Sequence, residues 1–192
     1  MTRLSNMTSG LQVEVNVEDC FTDNSKHATW DLERSDRDDS PIATETWQAW
    51  FECWLAALHS DLPPAPKYEL SLRLTDDAEI QELNAQYRHQ NKPTDVLAFA
   101  ALEVDVPQFA QMRSQLPLYL GDIAISVDTA KRQAQQQNHS LQTELAWLAA
   151  HGLLHLLGWD HPDEESLLQM LDRQTDMLQV VGIPINIPNC ED

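Results

Sequence analysis

Three things are scarce in this chain: paired cysteine, long apolar runs and positive charge. Cys20, Cys53 and Cys190 are odd in number, far apart and not in C-x-x-C pairs. That pattern suggests neither a disulfide framework nor a cysteine metal site, and it fits a reducing, cytoplasmic setting. No stretch approaches the roughly 20 apolar residues that a bilayer-spanning helix needs. The opening Met-Thr-Arg-Leu-Ser-Asn also lacks the apolar core of a secretory signal, so no membrane partner is expected. Lysine and arginine together number 12 against 31 acids, for a net charge of −19.

Such a charge repels polyanions, because affinity for nucleic acid rests on basic contacts to phosphate. Its distribution softens the objection. Residues 1–45 carry 10 acids and 4 bases, residues 160–192 carry 8 acids and 1 base, and 13 acids and 7 bases are left between. A divalent ion would add positive charge where a phosphate sits. The length, 192 residues, suits a single domain over 1–192 with a self-sufficient core.

Alternation at Val13, Val15 and Val17 predicts a strand, and so does Tyr68, Leu70, Leu72, Leu74 set against Glu69, Ser71 and Arg73. Between them the polar, acidic stretch at about 20–41 reads as a flexible segment. Trp47, Trp50, Phe51, Trp54, Leu55 and Leu58 recur at helical spacing over Glu45 to His59, the pattern of a core face rather than of a base-stacking surface. Thr75 is placed to cap a helix whose inner face is Ile80, Leu83 and Tyr87. Strands are expected at Asp95 to Ala100 and Gly121 to Val127, then a polar helix from about Thr129 to Gln137. Ser140 can cap a helix that is apolar on nearly every side, and a last helix spans Glu164 to Val180. Strands interleaved with helices predict an α+β fold, one mixed sheet covered by helices with a buried central helix.

That central helix carries the chemistry. His151, His155 and His161 form H-x₃-H-x₅-H within His-Gly-Leu-Leu-His-Leu-Leu-Gly-Trp-Asp-His. Residues four apart share a helix face, so His151 and His155 can aim two imidazoles at one ion. Gly158 supplies the left-handed conformation that ends the helix and turns His161 back as a third ligand. Three neutral nitrogens with an open fourth position describe a catalytic zinc site rather than a structural one. Metalloproteases share this spacing, but place a general-base glutamate where Gly152 stands here. Glycine cannot activate water, which argues against peptide hydrolysis. The H-x-E…P-C-x-x-C signature of zinc deaminases is absent too.

The histidine segment resembles the signature of the YbeY family of metal-dependent endoribonucleases, or rRNA maturation factors. Leu83-Asn-Ala-Gln-Tyr-Arg-His-Gln-Asn-Lys-Pro-Thr-Asp-Val-Leu-Ala-Phe99 and Leu120-Gly-Asp-Ile-Ala-Ile-Ser126 match it as well, and together these cover about Tyr68 to Met177. Ala98 stands where the family usually has serine. The resemblance implies a zincin-like fold, one divalent ion (Zn²⁺) on the three histidines, single-stranded RNA as substrate, and a role in small-subunit rRNA processing and ribosome quality control. It also implies that the ribosomal small subunit or its associated factors are partners, and that Arg88 is essential.

On that reading Arg88 stabilises charge developing on phosphoryl oxygens. Asp160 either orients a histidine or takes a proton from bound water; an ordinary turn aspartate is the alternative. His89 and Lys92 are candidates for flanking phosphates or for solvated loop residues, and Asp122 for a structural hydrogen bond. Two rival functions stay open: a non-enzymatic ribosome-assembly factor whose metal serves folding, and a metal hydrolase of another substrate class.

Overall fold

The computed structural model describes residues 11–21, 41–101 and 116–185. Four strands form one sheet: β1 (Gln12–Asp19), β2 (Lys67–Thr75), β3 (Val96–Ala100) and β4 (Leu118–Ser126), in the order β1-β2-β4-β3. β1, β2 and β4 run parallel and β3 pairs antiparallel to β4, so the sheet is mixed, as expected. Among the described residues five longer α-helices accompany it: α1 (Thr44–Ala57), α2 (Asp77–Arg88), α3 (Val127–Gln137), α4 (Leu141–Leu156) and α5 (Glu164–Val180). No helix among the described residues is long and apolar enough to cross a membrane.

The two faces of the sheet differ because strand residues alternate. Leu70, Leu72, Ile123 and Ile125 point into the main core, shared with α1, α4 and α5. Ala124 and Leu97 point the other way and meet Ile80 of α2 in a smaller cluster. The aromatics of α1 are core: Trp47, Phe51 and Trp54 are fully buried, and Trp54 Nε1 donates to the Met177 carbonyl at 2.7 Å. α4 is buried along most of its length, from Leu141 to Leu156, as a helix without a wet face must be.

Four sequence expectations need correction. Thr75 is not the cap of α2; it is the buried end of β2, and Asp76 caps the helix by accepting from the Glu79 backbone N–H at 2.9 Å. Tyr87 is not an inner-face residue. It is 57% exposed and sets its ring against Phe99 at 4.9 Å between centroids, since a phenol tolerates water on its polar edge. β4 begins at Leu118 rather than Gly121, pairing with β2 across a register shift between Glu69 and Leu70. α3 begins at Val127, with Ser126 as its cap. The flexible segment expected at about 20–41 lies almost wholly outside the described residues.

Candidate metal centre

α4 starts where Ser140 accepts from the Thr143 backbone N–H at 3.1 Å and satisfies an otherwise orphaned donor. It ends in a Schellman turn. The Gly158 N–H bonds the His155 carbonyl, and the Trp159 N–H reaches back to the Leu154 carbonyl, both at 3.0 Å. Gly158 has φ +87°, the left-handed region in which any side chain would be strained. This reversal carries His161 back over the helix. The ring centroids of His161 lie 5.6 Å from His151 and 5.4 Å from His155, and those two are 4.6 Å apart. One ring nitrogen from each histidine falls in a set lying within 4.8 Å of one another. No carboxylate or thiol among the described residues joins that set.

The hydrogen bonds around the rings decide which nitrogens face inward. His155 Nδ1 meets the Trp159 carbonyl at 2.9 Å. A carbonyl only accepts, so Nδ1 must carry the proton. Gln174 Nε2 donates to the Trp147 carbonyl at 3.0 Å, leaving its Oε1 to face His151 Nδ1 at 3.0 Å, and that nitrogen too must donate. Both Nε2 atoms are therefore bare lone pairs when the rings are neutral, and they stand 3.0 Å apart. Two acceptors facing each other at that distance are satisfied by a cation between them. Burial, the larger cause, lowers the pKa of both His151 and His155; charge on His161 adds to the lowering at His151, and charge on His151 at His155. The pair is kept neutral, as metal ligation requires.

The histidines open into a cleft of about 300 Å³, lined also by Arg88, Thr94, Asp95, Val96, Ala98 and Asp160. Arg88, at the last turn of α2, shares the cleft, and it is exposed with no ion pair among the described residues. Buried Asn84 secures the loop that follows, its side chain donating to the Lys92 carbonyl at 2.8 Å and its own carbonyl accepting from the Gln90 N–H at 3.2 Å. His89 and Lys92 are exposed and do not line the cleft. Asp160 is exposed, and its Oδ1 accepts from the His161 backbone N–H at 2.8 Å, the bond of a turn aspartate. Asp122 is elsewhere, accepting from Tyr119 on the opposite face of the sheet.

Sequence reasoning missed Asp95 and Gln174. Asp95 accepts from Gln133 at 2.9 Å and from the Val96 N–H at 2.8 Å at the cleft wall. Gln174 sits 23 residues from the histidine it touches, and no local pattern announces such a pair. Gly152 gains a reason that spacing alone did not supply. A Cβ there would meet Ile123 Cγ2 at 2.8 Å, so α4 lies against β4 closely enough that any side chain at the protease-base position would have to displace Ile123.

Sheet, buried helix and imidazole cluster together place the chain among zincin-like α+β proteins. The family is defined by sequence. The model described as Endoribonuclease YbeY matches residues 32–182, and the chain belongs to the YbeY family. The Endoribonuclease YbeY of Trichormus variabilis is 63% identical over 177 residues, covering 92% of this chain and 98% of the relative. That of Trichodesmium erythraeum is 56% identical, covering 90% and 94%. The solution structure of TM1509 from Thermotoga maritima shares the fold, with a TM-score of 0.50 and 21% identity over 89% of this chain and 88% of that one.

Proposed function

We infer that this chain is a metal-dependent endoribonuclease acting in rRNA processing, with His151, His155 and His161 as the ligands of one divalent ion. Family membership makes it a hydrolase that acts on RNA. The observation that carries the site is the pair of bare Nε2 lone pairs converging beside His161. Neutral imidazoles in a three-nitrogen set favour zinc over hard, oxygen-seeking ions. Such an ion would acidify bound water and polarise a phosphodiester.

The chain's own residues supply the rest. The guanidinium of Arg88, in the same cleft and without an ion pair among the described residues, meets charge that builds on phosphoryl oxygens, for which a planar fork is suited. Asp160 keeps one carboxylate oxygen beyond its turn bond, and on this reading it takes the proton released when water attacks. A cleft of about 300 Å³ admits a splayed strand more readily than a duplex, which supports single-stranded RNA as substrate. With a net charge of −19, binding is weak, salt-sensitive and assisted by a partner surface. We propose that surface to be the ribosomal small subunit or its associated factors, in the cytoplasm, with a part in ribosome quality control.

The test is cleavage of a labelled single-stranded RNA by purified protein, before and after chelation. Activity should vanish with chelator, return with zinc, and be missing from His155→Ala. Cleavage that persists in His155→Ala would expose a contaminating nuclease and favour the non-enzymatic assembly-factor reading.

A further inference from the structure

Gln174 lies on α5, 0% exposed, with both ends of its amide committed. A buried amide is costly unless fully bonded, and here the bonding is directional. The Trp147 carbonyl can only accept, so it fixes the NH₂ end; the Oε1 end is then the acceptor that faces His151 Nδ1. Trp147 and His151 are one helical turn apart, so a single side chain from α5 grips both the backbone of that turn and the ring it carries. An unrestrained neutral imidazole can place its proton on either nitrogen. Held by Gln174, His151 has its proton on the outward nitrogen alone.

We propose that Gln174 is a positioning residue that locks His151 in the tautomer and ring orientation able to take a cation at Nε2. The proposal rests on the reading of His151 as a metal ligand. It also gives α5 a function beyond covering the core. The capping box at Asp163 and Ser166, which starts α5 just after His161, sets the phase in which Gln174 arrives opposite His151.

Two substitutions separate positioning from packing. Gln174→Met keeps the volume and removes both hydrogen bonds; Gln174→Glu keeps the acceptor facing Nδ1. Zinc affinity of the purified full-length chain, measured by competition with a chromophoric chelator, should fall about 10–100-fold in Gln174→Met. It should stay close to the wild-type value in Gln174→Glu. In the metal-free wild type, nitrogen NMR of labelled histidine should place the His151 proton on Nδ1, and Gln174→Met should show a mixture. Unchanged zinc affinity in a folded Gln174→Met, or an equal loss in Gln174→Glu, would overturn the proposal while leaving the metal site intact. A wild type that takes up no zinc would sink the metal reading and this proposal together. Should Gln174→Met fail to fold, the wild-type tautomer decides, and a proton on Nε2 would overturn it.

Discussion

Two clefts lie on opposite faces of one sheet, and the proposed site is the smaller. The cleft beside α2, about 400 Å³, is lined by Glu18, Ser71, Arg73, Tyr87, Phe99 and Asp122 among others. Its charged groups answer one another: Arg73 pairs with Glu79 at 2.8 Å and Glu18 at 3.6 Å, and Tyr119 bridges Ser71 and Asp122 at 3.0 and 2.7 Å. The histidine cleft is smaller, yet it holds converging lone pairs and, in Arg88, a cation with no ion pair among the described residues. On the proposed reading, unspent valency rather than volume marks where an ion and a phosphate would sit.

Substitutions in the two clefts should therefore diverge. His155→Ala should lower RNA cleavage by about 10³-fold, because the ion it would help hold lowers the barrier by several kcal/mol; metal content measured alongside should fall with it. Arg88→Ala should cost about 10²–10³-fold in kcat, as removal of a transition-state donor does, while metal content stays whole. Loss of metal in Arg88→Ala would instead assign this arginine to folding. Gly152→Ala should destabilise the fold by about 1–3 kcal/mol through overpacking against Ile123, partly offset by about 1 kcal/mol of helix propensity; thermal unfolding checks it. Arg73→Ala, in the other cleft, should change stability by less than about 1 kcal/mol because its ion pairs are half-exposed, and should leave cleavage of a short RNA unaltered.

Acidification sharpens the same contrast. The folded values of His151 and His155 lie below the ordinary 6.5, so the unfolded chain binds protons first as pH falls. Their contribution to stability is fully present above about pH 6.5 and is lost as pH falls through the lowered folded values. Glu144 runs the other way. Burial raises its pKa against the opposing bond from His139, so its contribution is greatest below the unfolded value of 4.5 and is lost as pH rises through the raised one. Unfolding of the metal-free protein followed across pH 5–7.5 should show stability rising with pH in wild type. The slope should flatten in a His151→Ala, His155→Ala double variant.

Legibility in the sequence followed the range of the interaction. The spacing of His151, His155 and Gly158 lies within one helix and its cap, so local geometry dictated the convergence with His161. The alternation in β2 and the aromatic stripe of α1 were equally local, and both formed as read. Tyr87 misled because periodicity marks a face without saying how far the sheet extends beneath it. The start of β4 was obscured by a register shift that depends on its partner strand. Gln174 and Asp95 were invisible as site residues, since their partners come from other elements and a lone glutamine or aspartate carries no signature.

X-ray absorption at the zinc edge, on protein loaded with one equivalent and then desalted, bears most directly on the central claim. Three imidazole nitrogens at about 2.0–2.1 Å with one further light ligand from solvent are expected. Fewer than three imidazoles, a sulfur ligand, or no retained ion would contradict it.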